Sequence, residues 1–126
     1  MTYDAIVEML EEAGLPLAYD HFAEGESPDP PFLCFLYPES NNLSADGRVY
    51  ARIDVLHVEL YTDKKDPEAE ALVEAALDAR ELFYNKSEVW IPDERLYEVL
   101  YTTSVLKTED ETEDGGTENE SNEEQG

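Results

Sequence analysis

The sequence predicts an α+β fold, with a mostly antiparallel sheet of about five strands and two helices packed on one face of it. Two observations support this class. Residues 49–61 have the composition and alternation of a long strand, and two separate segments, beginning near Thr2 and near Asp66, have the apolar spacing of amphipathic helices. The predicted order is helix, three strands, helix, two strands.

The strand at residues 49–61 reads V-Y-A-R-I-D-V-L-H-V-E-L-Y. It is rich in β-branched and aromatic residues and contains no glycine or proline, which favours a strand. The apolar positions change parity at Val55 and Leu56, because both are apolar and adjacent. A β-bulge there would keep one apolar face on the core, so the sequence predicts a single long, bulged strand at the centre of the sheet.

Both helices have recognisable start signals. Thr2 can cap a helix that runs to about Ala13 and ends at Gly14. Asp66, Pro67 and Glu68 supply a cap, a first-turn proline and a first-turn acid for a second helix. The second helix is predicted to span four to five turns, with its apolar stripe reaching Phe83 and with Glu70 on its polar side.

Shorter segments complete the predicted sheet. Strands are expected at residues 17–22, 32–37, 87–91 and 96–106, and the second of these should be central and covered on both faces. Residues 38–48 are predicted to be a polar loop that ends in an Asp46-Gly47 turn. Residues 85–86 should interrupt the chain before the last two strands, which a turn at residues 92–95 connects.

Length and composition predict one folded unit. Residues 1–107 should form a single α+β domain, whereas residues 108–126 are polar and acidic throughout and are predicted to be a disordered tail. No apolar run is long enough for a membrane span, and the first residues lack the pattern of a signal peptide. We therefore expect a soluble, intracellular protein that does not contact a membrane.

The charge is strongly negative. The chain has 32 acidic and 8 basic residues, a net charge of −24, and the part up to Lys107 still has 23 acidic residues against 8 basic ones. Such a surface repels phosphate groups, so the charge excludes proteins that hold DNA through its backbone.

No catalytic, cofactor-binding or metal-binding motif is present, so we predict that the protein is not an enzyme and uses no cofactor. His57 lies opposite the apolar positions of its strand and is predicted to face solvent. A divalent cation could bind weakly to the acidic cluster Asp63, Asp66 and Glu68, but helix capping explains these residues better. Cys34 lies in an apolar run and is predicted to be a buried side chain.

Aromatic side chains are frequent in the strand and turn regions. Some of them should be exposed for contact with another protein, while core and cross-strand packing remains the alternative for most. They are Tyr50, Tyr61, Tyr84, Trp90, Tyr97 and Tyr101.

Four segments together resemble the tail-completion or tail-terminator group of neck proteins in long-tailed bacteriophages and prophages. They are H-F-A-E-G-E-S-P at residues 21–28, P-P-F-L-C-F-L-Y-P at residues 30–38, the strand through L-H-V-E-L-Y-T-D-K-K-D-P-E-A-E at residues 56–70, and F-Y-N-K-S-E-V-W-I at residues 83–91 with L-Y-E-V-L-Y at residues 96–101. The resemblance covers nearly all of residues 1–106 and none of the acidic tail.

The resemblance implies a non-enzymatic protein of the virion neck, assembled in the host cytoplasm. Copies of it, usually six, would form a ring that caps the tail tube protein and meets the head-tail connector protein. With 23 acidic and 8 basic residues, the part of each copy up to Lys107 has a net charge of −15, so six copies would carry about −90. DNA would then pass through an acidic lumen without being bound.

Contact residues are predicted in two sets. Loop residues should meet the axial partner, and a second set should lie near contacts between subunits. The first set is Asn41, Asn42, Leu43, Asp46 and Arg48, and the second is Tyr61, Lys64, Trp90 and Tyr97.

Two other functions remain open. An acidic DNA mimic that inhibits a nucleic-acid-binding enzyme would explain the charge directly, although the acids show no spacing that resembles a duplex. A small enzyme would need a concave pocket with converging polar groups.

Overall fold

The computed structural model of this chain describes residues 1–108, and of Tyr50 only the backbone. The predicted acidic tail lies outside the described residues, apart from Thr108. The elements are α1 (Tyr3–Glu11), β1 (Leu17–Tyr19), β2 (Phe32–Ser40), β3 (Leu43–Ala45), β4 (Arg48–Ala51), β5 (Ile53–Thr62), α2 (Pro67–Ala79), β6 (Tyr84–Ile91) and β7 (Leu96–Leu106).

Five strands form the main sheet in the order β1-β2-β5-β7-β6. The β2/β5, β5/β7 and β6/β7 pairs are antiparallel, and only the short β1 pairs in parallel, with β2. Both helices pack against one face of this sheet, so the α+β prediction is confirmed. Among residues 1–108 no helix lies on the opposite face, and we call it the open face.

The helix starts follow the sequence signals. The Thr2 hydroxyl oxygen accepts a hydrogen bond of 3.0 Å from the Ala5 amide, and the Asp66 carboxylate accepts one of 3.1 Å from the Ala69 amide. The helices bury apolar side chains against alternate positions of the strands. The core includes Ile6, Met9, Leu10, Leu33, Phe35, Leu56, Val58, Leu60, Val73, Leu77, Val99 and Tyr101.

The predicted loop at residues 38–48 is wrong, because most of it is strand. β2 continues to Ser40, and β3 and β4 form a separate two-stranded hairpin around the Asp46-Gly47 turn. Both turn residues have positive φ, 54° and 74°, as the Asp-Gly pair predicts. This hairpin interrupts the predicted long strand at Arg52, so β4 pairs with β3 while β5 belongs to the main sheet.

The predicted bulge at Val55 and Leu56 is also wrong. β5 pairs with β7 in continuous register, and Val55 lies on the open face while Leu56 faces the helices. The irregularity lies on the neighbouring strand, where Tyr37 and Pro38 of β2 together oppose Leu56. Proline suits this position because a bulge leaves one backbone N–H without a hydrogen-bond partner, and proline has no backbone N–H.

The second helix is shorter than its apolar spacing predicts. It ends at Ala79. The apolar spacing places Phe83 in the buried stripe, but the side chain is 81% exposed. Residues 85–86 do not interrupt the chain but belong to β6, which begins at Tyr84. β1 is likewise limited to Leu17–Tyr19, and the chain then crosses the open face, where Phe22 packs edge-on against Phe32.

Candidate interaction surfaces

The nine predicted contact residues fall into two groups at opposite ends of β5. Asn41, Asn42, Leu43, Asp46 and Arg48 belong to the β3/β4 hairpin and its base, while Tyr61, Lys64, Trp90 and Tyr97 lie near the other end of the strand. A strand of this length spans about 30 Å, so the two groups cannot contribute to one small site. They can serve two different partners.

The hairpin is an exposed extension of the sheet. Leu43 and Arg48 are exposed on β3 and β4, and Asp46 forms the tip. Two of the predicted contact residues hold the hairpin in place: the Asn41 amide donates to the Ile53 carbonyl at 2.8 Å, and the Asn42 side-chain oxygen accepts from the Ile53 amide at 3.0 Å. Asn41 and Asn42 therefore have a structural role that their positions in sequence did not reveal.

The second group is divided by the sheet. Trp90 and Tyr97 are direct cross-strand partners, and Tyr97 also pairs with Thr62, so both side chains lie on the helix side. Tyr61 lies on the open face, where its ring stacks on Phe32 and its hydroxyl donates a 2.9 Å hydrogen bond to Glu59. Lys64 is exposed in the turn after β5.

The sheet ends in two edge strands. Among residues 1–108, β1 and β6 each pair on one side only. β6 presents eight residues, and the adjacent Val89 and Trp90 are 54% and 46% exposed on opposite faces of it. Val89 is not among the predicted contact residues, because its exposure depends on β6 lying at the edge of the sheet.

Acidic side chains are concentrated on the outer side of the helices. We call this the acidic helix surface, and its exposed members are Asp4, Glu8, Glu11, Glu12, Glu68 and Asp78. Arg80 pairs with Glu12 there through two hydrogen bonds of 2.8 and 2.9 Å, and this pairing holds the pKa of Glu12 below its ordinary value. The open face is more apolar than the acidic helix surface. It carries apolar residues such as Leu36, Ile53 and Leu100 and has few charged side chains.

Glu59 and Glu98 provide the charges of the open face between β5 and β7. Glu98 is half-buried, and burial, followed by the neighbouring Glu59 and Glu94, raises its pKa. His57 lies on the same face and is partly exposed, as predicted.

Cys34 and Asp66 have structural roles. Cys34 is buried, and burial, with Glu59 and Asp20 nearby, raises the pKa of its thiol to about 11, so it is almost entirely protonated at neutral pH. His21 is exposed and lies 2.9 Å from Asp20. Asp66 caps α2, which is the role that the sequence favoured over cation binding.

The described residues hold neither a cluster of metal-ligating side chains nor a helix suited to a membrane. Within residues 1–108 no group of three or more His, Cys, Asp or Glu side chains converges as a metal site would require. In the same part of the chain, neither helix has the length and apolar character needed to cross a membrane.

Together these features define a small α+β protein whose distinctive parts are surfaces: a sheet edge, a projecting hairpin and an acidic helix surface. No protein-family model matches the chain, and the comparison with curated proteins gives no match. Among solved structures, the chain is similar to one described as "Virion of native gene transfer agent (GTA) particle", with 13% sequence identity and a TM-score of 0.49, covering 80% of this chain and 84% of that one.

Proposed function

We propose that this chain is a structural protein of a phage-like virion, a tail terminator or completion protein whose copies form a ring. The ring would cap the tail tube protein and join it to the head-tail connector protein. The sequence resemblance suggests this group. The observation that carries the proposal is the edge strand β6, which among residues 1–108 pairs on one side only and has Val89 and Trp90 exposed.

An edge strand suits ring assembly because its free amide and carbonyl groups can bind a different surface on the next copy. Contacts of this head-to-tail kind close into a ring when a whole number of equal rotations between neighbouring copies makes 360°. Val89 and Trp90 would supply the apolar anchor, since tryptophan is enriched among the residues that dominate interface energies. Tyr61, Lys64 and Tyr97 would lie near the same contact.

The hairpin would serve a second contact along the axis of the ring. It lies at the other end of β5 from Trp90, and its exposed residues Leu43, Asp46 and Arg48 are free to meet the tube or the connector. A separate element for each partner allows lateral and axial contacts to form without competing.

The acidic helix surface would give the ring its lumen. Carboxylates on Glu8, Glu11 and Glu68 are exposed and would repel the phosphates of a passing genome, so DNA could move through without binding. Because the open face carries fewer charges, it fits better against protein than against DNA. The protein would act by position and charge, without catalysis.

Electron microscopy of particles made without this protein tests the proposal. If the chain terminates tails, particles made without it should have overlong tails or tails without heads. Supplying the natural chain should restore tails of normal length that are attached to heads. A Val89→Glu chain should fail to restore normal tails. The control Leu72→Glu, which adds the same charge at an exposed site on α2, should restore them. Normal particles in the absence of the protein would contradict the proposal.

The DNA-mimic alternative predicts a different set of partners. Affinity capture with the tagged full chain should recover tube and connector proteins if the proposal holds. Recovery of a nuclease or another nucleic-acid-binding enzyme, and release of that enzyme by added DNA, would favour the mimic.

A further inference from the structure

A cavity of about 620 Å³ opens between the start of α1 and the strands β1 and β2. This volume is in the range of sites that bind small molecules or whole side chains. We call it the tyrosine pocket, and its principal lining residues are Tyr3, Tyr19, Phe35, Tyr37, Glu39 and Asp54.

The aromatic walls of the tyrosine pocket are packed against one another. The ring centres of Tyr3 and Tyr37 lie 4.9 Å apart, those of Tyr19 and Phe35 lie 5.2 Å apart, and those of Tyr19 and Tyr37 lie 6.2 Å apart. The faces of such rings carry partial negative charge and attract cations. Lys107 already demonstrates this, since its ammonium nitrogen lies 4.9 Å from the centre of the Tyr3 ring.

The polar groups of the pocket are incompletely used. The Tyr3 hydroxyl donates a long hydrogen bond of 3.3 Å to the half-buried Asp54 carboxylate, which can accept several more. The Tyr37 hydroxyl oxygen is buried and has no hydrogen-bond partner among the described residues. Burial, together with Tyr3 and Asp54, raises the pKa of Tyr37, so this hydroxyl stays neutral.

We propose that the tyrosine pocket binds the guanidinium group of an arginine side chain presented by a protein partner. A planar guanidinium can stack on a tyrosine ring while it donates two parallel hydrogen bonds to Asp54. A lysine ammonium cannot combine the stacked and bidentate contacts, because its charge is a compact point.

Charge favours a basic partner over a neutral one. Asp54 lies in the lining of the pocket, and the chain up to Lys107 has 23 acidic residues against 8 basic ones. The resulting field would raise the local concentration of basic segments and speed their encounter with the pocket. This inference does not depend on the proposed function, because it rests only on the pocket and on the charge of the chain.

Titration of the full chain with N-acetyl-arginine amide tests the inference, with N-acetyl-citrulline amide as a neutral ligand of nearly the same shape. We expect the arginine compound to shift the NMR signals of Tyr3, Tyr19 and Tyr37 with a Kd of about 1 mM, as is typical of a ligand this small. The citrulline compound should bind at least about 10-fold more weakly, the cost of losing the charge-assisted contacts. Equal shifts by both ligands, or no shifts with the arginine compound, would overturn the inference.

Three variants, one of them a control outside the pocket, keep the test specific. Asp54→Asn should weaken arginine binding about 10-fold, whereas Asp93→Asn, which removes the same charge from the exposed β6/β7 turn, should leave it within about 2-fold. Tyr19→Leu should also weaken binding, and because Tyr19 is exposed, the variant should stay folded. An Asp93→Asn chain that lost as much affinity as Asp54→Asn would mean that overall charge attracts the ligand, and the pocket would be excluded.

Discussion

The ammonium group of Lys86 lies 2.7 Å from Oε1 of Glu70, a residue that is only 4% exposed. The pair joins the first turn of α2 to the edge strand β6. Lys65 approaches the other carboxylate oxygen of Glu70 at 2.8 Å, and Glu74 lies 2.7 Å from Lys86. This network explains why Glu70, which the helical pattern predicts to be on the polar side of α2, is buried instead.

We predict that Lys86→Met destabilises the protein by about 1 to 3 kcal/mol, because it leaves a buried carboxylate with Lys65 as its remaining cationic neighbour. Urea unfolding measured by circular dichroism would give the change in free energy of unfolding. The control is Lys64→Met, since Lys64 is exposed, and it should change stability by less than about 0.5 kcal/mol. Equal stability of both variants would show that the network contributes little.

The carboxyl group of Glu98 should oppose folding at neutral pH. Its pKa is raised by burial and then by Glu59 and Glu94, so the folded chain binds this proton more tightly than the unfolded chain does. The ionised form therefore costs stability above the raised pKa, and the cost disappears below the ordinary glutamate pKa of about 4.3. We predict that Glu98→Gln raises the free energy of unfolding at pH 7 by up to about 1 kcal/mol.

Unfolding of Glu98→Gln at several pH values would check this prediction. The gain over the natural chain should shrink as pH falls and should be absent near pH 3.5, provided that both chains remain folded there. Glu24→Gln, an exposed loop substitution that also removes one negative charge, should give no comparable gain. A loss of stability on Glu98→Gln at pH 7 would mean that Glu98 makes a favourable contact in its ionised form.

The element types could be predicted from the sequence, because the helix caps and the strand composition act locally. Thr2, Asp66 and the Asp46-Gly47 turn each form the contact that their residue types indicate. The break at Arg52 could not be predicted, since residues 49–61 keep strand character on both sides of it. What separates β4 from β5 is the choice of partner strand, which is a tertiary property.

The surfaces were less predictable for a similar reason. The exposure of Val89 depends on β6 lying at the edge of the sheet, and no local pattern states the strand order. The tyrosine pocket combines Tyr3, Tyr19, Tyr37 and Asp54 from four separate elements, so its residues are not close in sequence. Only the topology brings them together.

Self-association should increase with salt. The net charge of −24 makes copies repel one another, and the Debye length falls from about 30 Å at 0.01 M to about 8 Å at 0.15 M. We predict that light scattering of the isolated chain will give a monomer at 10 mM sodium chloride and larger species at 500 mM. Stable hexamers at the lowest salt that dissociate when salt is added would contradict this prediction.

Trp90 should be required for association and dispensable for folding. It is 46% exposed on the edge strand, so Trp90→Ala removes a large side chain that the monomer only partly buries. If copies join through this edge, the substitution should weaken association by about 2 kcal/mol or more, which is typical of a central tryptophan at an interface. Sedimentation velocity at high salt would measure the loss, and urea unfolding would show whether the monomer is intact.

Leu72→Ala is the matched control for Trp90→Ala. Leu72 is 47% exposed, nearly the same as Trp90, but it lies on α2, away from the sheet edge. An interface that includes β6 predicts that Leu72→Ala associates like the natural chain, because the outer side of α2 belongs to the surface that the proposal assigns to the lumen. If Leu72→Ala were the variant that failed to associate and Trp90→Ala assembled normally, the helices would form the contact, and the acidic residues beside Leu72 would then lie between subunits.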